Sequence, residues 1–211
     1  VAAAARARAA RRAPAVETRF GPQYVRRFYL DPRTRVVTPR EMRARVVLIA
    51  ALLEHAGIRV RRILDAGCGI GLMRAPFAAV LPRARYVGLD ASEYLCRRYG
   101  WVRGSVVDYA PRVPADLVIC YDVLQYLDAP QAARAIRNLS VLTRAALYVS
   151  ALTSADWRTH CDRTRTDRAV HLRSGAWYRE RLEKRFRYLG VGVWLRKDIE
   201  PTLWEMEGPT G

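Results

Sequence analysis

A chain of 211 residues with 51% hydrophobic and 27% charged side chains suits one soluble α/β domain and is short for two. Its longest apolar run, Val46 to Leu53, stops at Glu54, well short of the roughly 18 residues that cross a bilayer, so a membrane helix is excluded. The net charge of +17 is carried by arginine, with Lys184 and Lys197 the only lysines. Phosphate-binding surfaces commonly use both cations, so the charge points only weakly to nucleic acid, while still drawing acidic partners.

Val1 to Pro14 is almost entirely alanine and arginine, and residues 1–20 are predicted to be a disordered tail. A basic, acid-poor start also suggests a transit peptide, but the serine typical of one is missing, and an upstream mis-called start accounts for the composition as well. The rest, 21–211, reads as one domain. Tyr24, Phe28 and Tyr29 share one side of a short helix. Thr38-Pro39 is an N-cap with proline at the first helical position, and the apolar face Met42, Val46, Val47, Ile49, Ala50, Leu52, Leu53 carries that helix to Gly57.

From residue 58 to 150 strands and helices alternate. Arg61–Asp65 is predicted as a buried strand, followed by a glycine turn and a helix reaching Leu81. Strands over Ala84–Leu89, Trp101–Val107, Ala115–Cys120 and Ala145–Ser150 are interleaved with helices over Ser92–Arg98 and Ala129–Leu142. Apolar strands in such alternation form a mainly parallel sheet covered on both faces. Ala151–Arg173 is polar, arginine-rich and without period. Beyond it a helix is expected over Ser174–Leu189, then a closing hairpin of Val191–Leu195 with Thr202–Met206.

The segment Ile63-Leu64-Asp65-Ala66-Gly67-Cys68-Gly69-Ile70-Gly71 carries the functional reading. Glycines at alternate positions after a strand let the backbone turn sharply and lie against a ligand. A dinucleotide fingerprint would need its third glycine at the position of Leu72, and no Gly-Lys-Ser/Thr ending marks a phosphate loop. The stretch resembles the first motif of the class I S-adenosylmethionine-dependent methyltransferases: an apolar strand, an acid, then G-x-G-x-G. Tyr86-Val87-Gly88-Leu89-Asp90, Asp108-Tyr109 and Asp116 to Tyr126 follow in that family's order.

The resemblance implies a Rossmann-like, three-layer α/β/α fold with a mainly parallel seven-stranded sheet ending in an antiparallel hairpin. It implies S-adenosyl-L-methionine as cofactor. Asp65 would stand near the methionyl end, Gly67, Cys68, Gly69 and Gly71 would form the cradle, and Asp90 with Ala91 would take the ribose. Asp108 and Tyr109 would face the adenine, and Cys120 and Tyr121 the inner wall. Asp90 at its strand end can accept from both ribose hydroxyls.

The implied reaction is N- or O-methylation of a small or medium-sized acceptor, with an acidic acceptor in view. A general base is needed only for an acceptor of high pKa, and the candidates are His160, His171 and Tyr126, each of which serves equally as an ordinary loop or packing residue. Tyr24, Tyr126 and Trp157 form a candidate aromatic wall. Arg165 and Arg168, with Arg163 and Arg173, are candidate anion clamps. An RNA acceptor is the runner-up, and a non-catalytic cofactor-binding module the third reading. Cys68, Cys96, Cys120 and Cys161, without a Cys-x-x-Cys pair or a zinc spacing, predict free thiols, no metal and a cytoplasmic location.

Overall fold

The computed structural model describes residues 19–207, so residues 1–18 of the expected tail lie outside the described part. The last two residues of that tail do not behave as one. Phe20 packs edge-on against Tyr24 and Tyr126, and Arg19 is paired with Asp167 at 3.1 Å. A large apolar ring followed by proline-22 and an aromatic helix face has a surface to bury, which the alanine-arginine stretch lacks.

A short helix α1 (Pro22–Val25) runs into a π-helical turn, Arg26–Leu30. Helix α2 (Pro39–His55) starts where the sequence places it, and the reason is complete: the Thr38 hydroxyl accepts from the Glu41 amide, and the Glu41 carboxylate accepts from the Thr38 amide. Then follow β1 (Arg62–Ala66), α3 (Arg74–Val80), β2 (Arg85–Asp90), α4 (Glu93–Tyr99) and β3 (Val102–Arg103). Strand β4 (Ala115–Tyr121) leads through a 3-10 turn, Leu124–Tyr126, into α5 (Ala129–Leu142) and β5 (Thr143–Ser150). The chain closes with α6 (Ser154–Thr159), α7 (Gly175–Leu182), β6 (Phe186–Gly190) and β7 (Val193–Arg196).

The seven strands lie in the order β3-β2-β1-β4-β5-β7-β6. All neighbours are parallel until β7, which runs antiparallel to both β5 and β6. The pleat sends alternate side chains to opposite faces, and both faces are covered. Ile63, Leu117, Ile119 and Tyr148 face Met42, Val46, Ile49 and Leu53 of α2 together with Phe77 of α3. Leu64, Val118, Cys120 and Leu147 face Ala135, Ile136, Leu139 and Leu142 of α5 and Tyr178 and Leu182 of α7. This is the Rossmann-like α/β/α sandwich expected. No helix among the described residues is long and apolar enough to cross a membrane.

Three elements depart from expectation. The helix expected over Ser174–Leu189 stops at Leu182, because Phe186 is needed in the core as a strand residue. The hairpin therefore pairs Phe186–Gly190 with Val193–Arg196, not with Thr202–Met206, where Trp204 and Met206 stand 81% and 96% exposed. The third strand, expected over Trp101–Val107, pairs through only two residues. Asn138 of α5 holds the loop beyond it by donating to the carbonyls of Val106 and Tyr109, a substitute for ladder bonds.

The polar stretch 151–173 is pinned at both ends. Thr153 bridges Arg173, and the His171 amide donates to the Gln125 carbonyl. Arg173 is buried, with its guanidinium donating to the carbonyls of Leu124, Leu127 and His171 and to the Tyr178 hydroxyl. It is a structural clamp, not the anion clamp expected. Arg173→Met is expected to cost about 2–4 kcal/mol by leaving these acceptors unpaired in the interior, read as a lower melting temperature. Unchanged melting would show that those carbonyls find other donors.

Candidate active site

Sheet order reverses between β1 and β4, and in open α/β sheets the crevice beyond the strand ends at that point receives the ligand. A cavity of about 630 Å³ opens there, reached by the ends of β1 (Asp65, Gly67), β4 (Tyr121, Asp122) and β5 (Ser150, Ala151). The aromatic residues of α1 and its π turn and the segment 156–167 close over it. Across its mouth Arg19 pairs with Asp167, and Arg165 donates to the Arg35 carbonyl.

Asp65 is buried and receives a very short hydrogen bond from the Tyr86 hydroxyl. Burial, outweighing that bond, pushes its carboxyl up to about 7, with the nearby Asp90 adding in the same direction. A buried acid on a cavity wall, short of cationic partners, is a receptor for a cation such as an α-ammonium. Beyond it the loop runs within van der Waals reach of its neighbours. A Cβ on Gly67 would lie 2.3 Å from Val123 Cγ2. Trp101 caps the other side, its indole N–H donating to the Gly69 carbonyl at 2.9 Å.

Asp90 braces this loop. One carboxylate oxygen accepts from the Gly69 amide at 2.9 Å and the other from the Ser92 amide at 2.8 Å. Burial raises its pKa, and those amide bonds oppose the rise. Each oxygen keeps a second lone pair for a ribose hydroxyl. The cradle thus has the form an S-adenosyl group requires: a buried acid at one end, bare backbone in the middle and a carboxylate at the next strand end.

Of the residues the sequence singles out, Asp65, Gly67, Cys68, Tyr121, Tyr126, Tyr24, His160 and Arg165 meet in the cavity wall. Tyr24 and Tyr126 join hydroxyls at 2.7 Å, and burial pushes the Tyr126 phenol up to about 12. Gly69, Gly71, Asp90 and Ala91 shape the loop behind the wall, and Asp108 and Tyr109 lie beyond it, Asp108 exposed in a turn. The Cys120 side chain is turned into the core. His171 is exposed and away from the wall, as is Arg168, while Trp157 is outside it, with its carbonyl taken by Arg163. These positions remove His171, Trp157 and Arg168 from contact with an acceptor in this cavity.

The wall also holds residues the sequence reading missed. Asp122 has a positive φ of 54°, a conformation in which aspartate is one of the few tolerated side chains, at the very end of β4. Burial raises its pKa, against the Tyr121 hydroxyl and the Arg45 charge. Arg45 lies over the Tyr121 ring at 4.7 Å and donates to the Tyr148 hydroxyl at 2.6 Å. A signal existed for it, since Arg45 sits on the stripe Met42, Val46, Ile49 at helical spacing, where charge is out of place.

Residues 64–145 match the family model described as a methyltransferase domain. Among solved structures the chain is similar to the magnesium protoporphyrin IX methyltransferase ChlM of Synechocystis with bound SAH, at 18% identity and a TM-score of 0.62. That match covers 86% of this chain and 98% of the other. It is also similar to the N-methyltransferase NodS of Bradyrhizobium japonicum in complex with S-adenosyl-L-homocysteine, at 17% identity and a TM-score of 0.58, over 85% and 99% of the two chains. An O-methyltransferase family protein of Burkholderia thailandensis matches at 16% identity and a TM-score of 0.54, over 84% of this chain and 63% of the other. No curated protein sequence matches the chain.

Sheet order, glycine loop and strand-end acids define an S-adenosylmethionine-binding Rossmann-like enzyme. With the domain matched over β1 to β5, the chain belongs to the class I S-adenosylmethionine-dependent methyltransferases.

Proposed function

We propose that the protein methylates a small acceptor held inside the cavity, on oxygen or nitrogen. The observation that supports this most is that one enclosed space joins the buried Asp65 and Gly67 to the polar end of β4 and the Arg45 cluster. Donor and acceptor would share a pocket closed by residues of the 19–37 and 156–167 segments, a space suited to a small molecule more than to an RNA strand. The +17 charge keeps RNA as the runner-up acceptor.

S-adenosylmethionine supplies a sulfonium methyl that leaves with the C–S electron pair remaining on sulfur. Asp65 would hold the cofactor's ammonium, the backbone at Gly67 and Gly69 would lie against its chain, and Asp90 would take the ribose hydroxyls. The protein's part is then to align the acceptor atom and to keep water out. Asp122, at the strand end, is placed to receive the proton that an alcohol or ammonium acceptor must lose, and the Tyr24–Tyr126 pair closes the apolar side. His160 is a less suitable base, since its ring is largely exposed and its Nδ1 is engaged by Thr159. The four cysteines are free thiols, which fits a cytoplasmic enzyme.

Calorimetric titration with S-adenosylhomocysteine beside NAD and ATP tests the reading. Selective binding of the first is expected, and its absence would sink the proposal. Asp90→Ala is expected to weaken that binding roughly 10- to 100-fold, the loss of one or two charge-assisted hydrogen bonds. An unchanged affinity would remove Asp90 from the site.

A further inference from the structure

The wall opposite Asp65 carries a cation with no anion to meet. Arg45 has an aromatic floor, Tyr121, whose ring stacks with that of Tyr148 at 6.4 Å. One terminal nitrogen, Nη1, is spent on the Tyr148 hydroxyl. Its Nε is buried and has no partner, and none of the ion pairs among the described residues involves it. The edge formed by Nε–H and the outer Nη2–H, two parallel donors that match the two oxygens of a carboxylate, is therefore unused.

The acids of the same wall are each supplied with donors already. Asp65 has the Tyr86 hydroxyl, and Asp122 has Tyr121 and Gln125. Asp156 takes the Thr153 amide and hydroxyl, and Asp167 takes Arg19 and the Ala169 amide. A partly buried guanidinium left with one neutral partner is an incomplete arrangement, because a desolvated charge needs a counter-charge or a full set of acceptors. Around it the surface is flat and apolar, with Val36, Val37 and Met42 beside the two tyrosine rings.

We propose that the methyl acceptor is an organic carboxylate, anchored by its carboxylate on the free edge of Arg45 with its apolar body against Tyr121. This rests on the methyltransferase reading above and names the substrate class for it. The carboxylate is the handle and not the methylated atom, since oxygens saturated by a cationic fork are poor nucleophiles. The product therefore keeps its negative charge.

The test uses the protein saturated with S-adenosylhomocysteine, titrated calorimetrically with 4-hydroxybenzoate and hexanoate and with the matching amides, 4-hydroxybenzamide and hexanamide. At least one carboxylate is expected to bind about 10-fold or more tightly than its amide, the worth of a charge-assisted fork. Arg45→Met is expected to abolish that preference while S-adenosylhomocysteine affinity stays within about twofold, and Arg45→Lys to keep part of it. Equal binding of amide and acid, binding of no probe, or a preference that survives Arg45→Met would each overturn the proposal. If Arg45→Met does not fold, the wild-type acid-to-amide ratio and Arg45→Lys decide. Failure of the first saturation step with S-adenosylhomocysteine would instead take down the methyltransferase reading, and is seen before any acid is added.

Discussion

Gly67→Ala is expected to abolish cofactor binding and to destabilise the fold, and the two effects have one cause. Gly67 has φ of +85°, a left-handed conformation that costs an L side chain about 1–2 kcal/mol. A Cβ there would also stand 2.3 Å from Val123 Cγ2 and 3.3 Å from Val123 Cγ1. Val123 is β-branched and packed against the core under α5, so it cannot rotate clear. The loop must lift from its seat, at a total cost of about 2–4 kcal/mol. For a domain of this size that lowers the melting temperature by roughly 4–16 °C. S-adenosylhomocysteine affinity should fall at least ~100-fold, because the lifted backbone occupies the space of the ligand. Gly100→Ala is the matched control. Gly100 has nearly the same φ, +74°, but a Cβ there meets nothing within 4 Å. It should cost about 1 kcal/mol and leave affinity unchanged. Equal affinity losses in the two variants would show that strain, not close approach, is what matters at Gly67.

The contrast between those glycines also explains what was legible in the sequence. The cofactor half of the site is local: Asp65 to Gly71 lie within seven residues, and Asp90 is fixed by a strand end. Strand alternation and turn chemistry announce both. The helix starts were equally plain, since Thr38 and Asp128 with Glu41 and Gln131 make complete capping boxes. The acceptor half is not local. Arg45, Asp122 and Tyr148 come from a helix, a strand end and a strand interior, and only the packing of α2 on the sheet brings them together. The closing hairpin misled for a related reason. Thr202–Met206 alternates like a strand, while the true strand Phe186–Gly190 opens within a basic run and shows only Phe186 to the core. Alternation states which residues suit a sheet, and the tertiary contact decides which are used.

Cofactor affinity is expected to depend on pH through Asp65, and Asp65→Asn to remove that dependence. In the free folded protein the carboxyl holds its proton until about pH 7, because burial raises its pKa from the model value of 3.8. The unfolded chain gives the proton up near pH 4. Between those values the folded state binds more protons than the unfolded one, so stability falls as pH rises. The loss is complete above about pH 7 and amounts to roughly 4 kcal/mol, three pKa units at 1.4 kcal/mol each. An ammonium placed beside Asp65 reverses the sign, because it favours the ionised form. S-adenosylhomocysteine affinity should therefore rise with pH, by up to about tenfold per unit between pH 5 and 7, and then level off. In Asp65→Asn the free protein should melt higher than the wild type at pH 8, freed of the buried charge. Its affinity should be roughly 10- to 100-fold lower there and nearly flat with pH. Asp90 and Asp122 also have raised pKa values and push stability the same way, so the difference between wild type and variant is the quantity to read. Parallel pH profiles for the two proteins would mean that Asp65 does not face the ammonium, and that the carboxylate governing affinity lies elsewhere in the crevice.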